Sequence, residues 1–193
     1  MANSLEPALF GNQKKEKFYM TKLYTVACAF VVVLLAGCGS MPNTPDKLVQ
    51  NVKDNSMFSE KDIFEVKRPI EEVAELFKKK ANECLKQSIT ITSRDSTAGL
   101  TTTHREVRQY TPRVVASKQR TRLTLQSKTI EGATELGDIP PDGWYMMVAD
   151  AYPVSKNVTR IESYVQWPEL RASFKAVKHW ASGTNMGCPD LTK

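Results

Sequence analysis

RPIEEVAELFKKKANECL, residues 68–85, is the stretch on which a reading of the fold turns. Pro69 brings a fixed φ suited to a first helical turn, and Glu71 and Glu72 place negative charge at the positive end of a helix. Ile70, Val73, Ala74, Phe77, Ala81, Cys84 and Leu85 recur at i, i+3, i+4 and i+7, with Glu75, Lys78, Lys79 and Glu83 elsewhere. This spacing predicts an amphipathic helix with Cys84 near its buried side. Just ahead, Ile63-Phe64-Glu65-Val66 reads as a short strand that Arg68-Pro69 stops.

Downstream the period changes. Runs at 88–93, 100–110, 114–126, 143–152 and 158–167 are rich in Thr, Val, Ile and Tyr and separated by turn signals. Within them Arg120, Arg122 and Thr124 alternate with Thr121, Leu123 and Leu125. Pro168 then opens a second helix, with Leu170, Phe174, Val177 and Ala181 on one stripe, Trp180 beside it and Gly183 as its stop. The order is strand, helix, about five strands, helix. It predicts an α+β domain of two layers, an antiparallel sheet of five or six strands packed on an N-terminal and a C-terminal helix. Over residues 62–180 that order resembles the helix-grip fold of START-like ligand-binding domains and of the outer-membrane assembly lipoprotein BamC.

The most apolar run lies earlier. LYTVACAFVVVLLA, residues 23–36, has fourteen residues without a charge, short of the ~20 that a helix needs to span a bilayer. Its length and the flanking Lys14, Lys15, Lys17 and Lys22 fit a signal peptide. It ends in Leu35-Ala36-Gly37-Cys38, which resembles the lipobox of bacterial lipoproteins. The resemblance implies cleavage before Cys38 and palmitate-type acyl chains on that residue. The competing reading is a single-pass anchor with an incidental cysteine. Met20-Thr21-Lys22 offers a shorter start, so residues 1–19 are open to a mis-assigned beginning. Gly39 after the cysteine favours the outer membrane under the lipoprotein sorting rule, with the inner membrane as the alternative.

The expected organisation is a signal peptide at 1–37, a lipidated N-terminus and flexible tether at 38–61, and one periplasmic domain at 62–193. A tether of that length reaches at most ~75–80 Å. Leu48, Val49 and Val52 form a small apolar cluster inside it, read as a turn frayed against the domain or a docking segment for a partner. From Cys38 onward there are 23 basic and 19 acidic residues, a net of +4. Such a balance permits an anionic partner without demanding one. Of the four cysteines, Cys28 leaves with the signal peptide and Cys38 is lipidated. Cys84 and Cys188 remain for a disulfide in an oxidising compartment, the alternative being two free thiols.

Chemistry is sparse. His104 and His179 lack neighbours at metal spacing, and no nucleophile elbow, phosphate loop or dinucleotide fingerprint occurs. We therefore expect neither a catalytic residue nor a metal or cofactor. Arg105, Arg108, Arg113, Lys118, Arg120 and Arg122 fall within eighteen positions. A hairpin would put several on one solvent face, either to meet an acidic protein, anionic glycan or lipid phosphate, or as an ordinary charged surface. The loop at 131–143 is acidic, Gly- and Pro-rich and long enough to suggest function. Trp144, Tyr145, Met146 and Met147 after it suit a core or an apolar pocket.

These features favour a lipid-anchored envelope protein with an accessory or scaffolding role over a binder of a small apolar ligand between sheet and last helix. An enzyme acting on cell-wall or lipid material comes third, and nucleic acid is not an expected partner.

Overall fold

The computed structural model describes residues 41–54, 59–97, 100–132, 139–167 and 170–191. The elements are α1 (Pro45–Lys53), β1 (Glu60–Val66), α2 (Ile70–Lys80), β2 (Gln87–Thr97), β3 (Leu100–Ala116), β4 (Thr121–Glu131), β5 (Trp144–Ser155), β6 (Val158–Val165) and α3 (Arg171–Ala181). The six strands make one antiparallel sheet in the order β1-β6-β5-β4-β3-β2. β1 and β2 are therefore opposite edges, and the chain between them must cross the sheet. It does so as α2, prolonged by one wide turn at Ala81–Leu85. The class is α+β, as the patterning predicts.

α2 and α3 cover one face. Val73, Phe77, Ala81, Cys84 and Leu85 from α2 and its wide turn are buried there, together with Phe174, Val177, Trp180 and Ala181 from α3. Beneath the two helices lie Leu123 and Leu125 of β4, Met147, Ala149 and Ala151 of β5, and Ile161 and Val165 of β6. Each large apolar side chain fully removed from water there contributes ~1.5–3 kcal/mol. Trp180, Tyr110 and Phe77 are the bulkiest members of this interior and are almost wholly enclosed. Gly183, at φ +70°, ends the α3 segment in a backbone conformation that glycine adopts without strain. Pro168, expected to open this helix, lies outside the described residues.

β3 differs from the expected runs. It continues through Pro112 to Ala116, and the turn falls at 117–120 instead of 111–113. β2 begins at Gln87 opposite Tyr110, so beyond that point β3 has a strand neighbour on one side only. A proline is tolerated there because its missing N–H can be directed to the open side. Ser117 shapes the true turn: its Oγ accepts from the backbone N–H of Gln119 and Arg120 at 3.3 and 3.0 Å.

The segment read as a flexible tether contains α1. Thr44 caps it by accepting from the Lys47 N–H at 3.1 Å, and Pro45 occupies the first turn. A nine-residue helix is too short to hold in water alone. Leu48 and Val52, one turn apart, are buried against Val148 and Tyr164 on the face opposite α2 and α3. The chain is engaged even earlier, since the Tyr145 N–H donates to the Pro42 carbonyl at 3.0 Å.

Cys84 and Cys188 are joined, with their Cα atoms 4.9 Å apart. The wide turn after α2 brings Cys84 to the tail that follows α3. The bond closes a sequence separation of 104 residues.

Candidate functional site

The face that bears α1 carries a row of cross-strand neighbours: Ile63 on β1, Glu162 on β6, Asp150 on β5, Arg122 on β4 and Val115 on β3. Alternation along each strand puts these residues opposite the buried Leu123, Ala149 and Ile161. Arg122 is the centre of the row. Its Nε and Nη2 donate to the two carboxylate oxygens of Asp150 at 2.7 Å each, and its Nη1 donates to Asp46 of α1 at 2.8 Å. The side chains of Arg122 and Asp150 are 12% and 4% exposed. The hydrogen bond to Asp150 holds the Arg122 pKa above its already high ordinary value, against the opposing effect of burial.

Arg122 is therefore committed to two carboxylates of its own chain. The remaining members of the basic cluster do not share one face. Arg105 and Arg113 alternate onto the α1 side of β3 and are exposed, whereas Arg108 falls on the α2 side and pairs with Glu106 at 2.6 Å. Lys118 and Arg120 sit in the β3–β4 turn, both exposed. The nearby Tyr152 phenol is pushed up in pKa chiefly by burial and then by the Asp150 charge, with Arg120 acting in the opposite direction.

Next to the row, the Tyr164 hydroxyl donates to Glu162 at 2.8 Å, and Arg160 pairs with the same carboxylate at 2.9 Å. Burial first, and then the bond to Glu162, push the Tyr164 pKa well above the ordinary phenol range. Lys53 of α1 stands 5.6 Å from the centre of the Tyr164 ring. Two acids that matter here, Asp46 and Asp150, escape a motif search. Asp150 does leave a trace, as a lone carboxylate within the apolar run MMVADAY.

The histidines do not join this site. His104 is exposed with its ring 3.9 Å from the Asp95 carboxylate, and His179 is exposed beside the Thr184 hydroxyl at 3.2 Å. Among the described residues no three His, Cys, Asp or Glu side chains converge as a metal site requires. No helix among them is long and apolar enough to cross a membrane. Cys38 and residues 133–138 of the acidic loop lie outside the described residues. The described base of that loop is fixed by Gly143, at φ +89°, where a β-carbon would overlap the Ser127 carbonyl. Gln126 also donates to the Gly143 carbonyl at 2.9 Å.

On the other side of the sheet, the hydroxyls of Ser163 on β6 and Ser173 on α3, and the indole N–H of Trp180, are buried without a hydrogen-bond partner among the described residues. Comparison with known proteins adds no assignment: no family pattern matches the chain, and no curated protein is significantly similar to it.

Proposed function

We propose that this is a lipid-anchored cell-envelope protein, tethered through acyl chains on Cys38, whose periplasmic domain binds another envelope component as an accessory or scaffold. The observation that carries the binding role is one end of the sheet at which exposed apolar and exposed basic side chains both occur. Val115 and Val154, each 55% exposed, lie at the end of the sheet that carries the β3–β4 and β5–β6 turns. Arg113, Lys118 and Arg120 stand at the same end. Such a combination suits an acidic protein surface or an anionic glycan. The outer membrane is the proposed location, with the periplasmic leaflet of the inner membrane as the alternative.

The strand order, with one helix between β1 and β2 and another after β6, supports the helix-grip likeness. Crosslinking in intact envelopes tests the binding role. Val115→Asp and Lys118→Glu should each reduce recovery of the partner captured by the wild-type protein. Unchanged recovery from both would remove this end of the sheet from the interface.

The unpartnered Ser163, Ser173 and Trp180 groups favour a second reading, a small apolar ligand held between the sheet and α3 through one polar group. Native mass spectrometry of the purified protein separates the two. A retained small molecule supports the ligand reading, and a bare chain mass opposes it.

A further inference from the structure

We infer that the end of the sheet opposite that one is a membrane-apposed surface, held against the bilayer in which Cys38 is anchored. This rests on the lipoprotein reading and adds an orientation to it.

Chain length supplies the first argument. Pro42 is buried and its carbonyl is bonded to the Tyr145 N–H at the start of β5. Only four peptide steps separate Cys38 from Pro42, a reach of about 14 Å when fully extended. The long leash expected from residues 38–61 does not exist beyond Pro42, because α1 docks on the sheet. The domain is kept close to its anchor by the start of β5.

Strand directions define which end that is. Trp144 begins β5, Val165 ends β6, Glu60 begins β1 and Glu131 ends β4, and the registers place all four toward the same end of the sheet. The turns with Lys118 and Lys156 are at the other end of β5, about 35–40 Å away along a twelve-residue strand.

The same anchored end carries two further features. β4 pairs with β3 only from Val107 onward, so residues 100–106 of β3 pair with β2 alone. A two-stranded ribbon of about 23 Å thus projects past the sheet on the side of Pro42. Ser93, Arg94, Asp95 and Ser96 on one strand and Thr101 to Arg105 on the other are exposed on both of its faces. Such a ribbon is marginal when water surrounds it on every side. Trp144 is half-buried at this end, packed on the edge of the core, whereas the indole N–H of Trp167 is buried and Trp180 lies in the interior. A partly exposed tryptophan ring is suited to the headgroup layer, between water and the acyl chains.

The occupant is the lipid surface itself, of zwitterionic headgroup chemistry. Arg94 and Arg105 are balanced on the ribbon by Asp95 and Glu106, which gives no reason for a preference for anionic lipid. The end with Val115 and Lys118 then faces away from the membrane.

The test uses the full chain, purified from membranes and placed in phosphatidylcholine vesicles that carry a nitroxide on the headgroup. Thr102→Cys, Ile130→Cys, Lys118→Cys and Lys156→Cys each supply one labelling position for a fluorophore, since Cys84 and Cys188 are bonded. Intact mass establishes acylation of Cys38 separately. Acylated protein should show several-fold stronger quenching at 102 and 130 than at 118 and 156. Equal quenching at both ends, stronger quenching at 118 and 156, or none at any position overturns the orientation while the lipoprotein reading stands. A mass without acyl chains on Cys38 ends both.

Discussion

Arg122 on β4 grips both carboxylate oxygens of Asp150, its register neighbour on β5, at 2.7 Å each. The pair ties the sheet to α1, because the third guanidinium contact reaches Asp46. Breaking a buried pair from one side costs ~3–5 kcal/mol, since the other charge stays enclosed and uncompensated. Arg122→Glu should therefore lower stability by that order and shift the urea midpoint down. Replacing both residues, Arg122→Met with Asp150→Leu, should recover most of the loss. A single variant as stable as wild type would show that the pair is not enclosed in solution.

Leu48 and Val52 provide the apolar half of the same attachment. Leu48→Ala should cost ~2–3 kcal/mol, toward the lower part of the range for core leucines because this cluster is small. Amides of α1 should exchange faster in that variant while those of β4 and β5 keep their protection. Uniform exchange across the domain would mean that α1 and the sheet open as one unit.

Tyr164 links stability to alkaline pH. Its folded pKa lies above the ordinary value of 10.0, through burial and the bond to Glu162. The folded state then holds the proton more tightly than the unfolded state. That stability is fully present below the unfolded phenol pKa and falls as pH rises toward the folded one. Denaturant midpoints should decline above about pH 10, and Tyr164→Phe should flatten the decline. At neutral pH the variant should lose ~0.5–1.5 kcal/mol with the hydrogen bond to Glu162. An unchanged alkaline slope would assign the decline to other groups.

The disulfide joins the wide turn after α2 to the tail after α3. Cys84→Ser or Cys188→Ser should lower stability by ~2–4 kcal/mol, and the oxidised wild type should run faster than the reduced form on a gel. Identical mobility with two titratable thiols would refute the bond.

The two long helices are legible in the sequence because each buries a stripe at helical spacing, and the sheet class follows from the runs between them. α1 is harder to read, with only Leu48, Val49 and Val52 to mark it, although Thr44-Pro45 is a capping pair. The end of β3 is hidden because Pro112 reads as a turn signal unless the neighbouring strand is known to have ended. The commitment of Arg122 is invisible for a related reason. Its partners lie 28 and 76 positions away, and loosely specified hairpin links leave strand register open.

The anchor on Cys38 underlies both the proposed location and the proposed orientation. Cys38→Ser should leave a precursor that is neither acylated nor cleaved, because a serine hydroxyl does not take the place of the thiol that receives the diacylglyceryl group. Inhibition of the lipoprotein signal peptidase should make the wild-type precursor accumulate in the same way. Two or three acyl chains, at about 0.8 kcal/mol per buried CH₂, hold a protein to a bilayer far more firmly than one, so the wild type should stay with membranes in high salt. Processing of the serine variant to a soluble domain would mean that residues 23–36 act as an ordinary cleaved signal, and the protein would then work unattached.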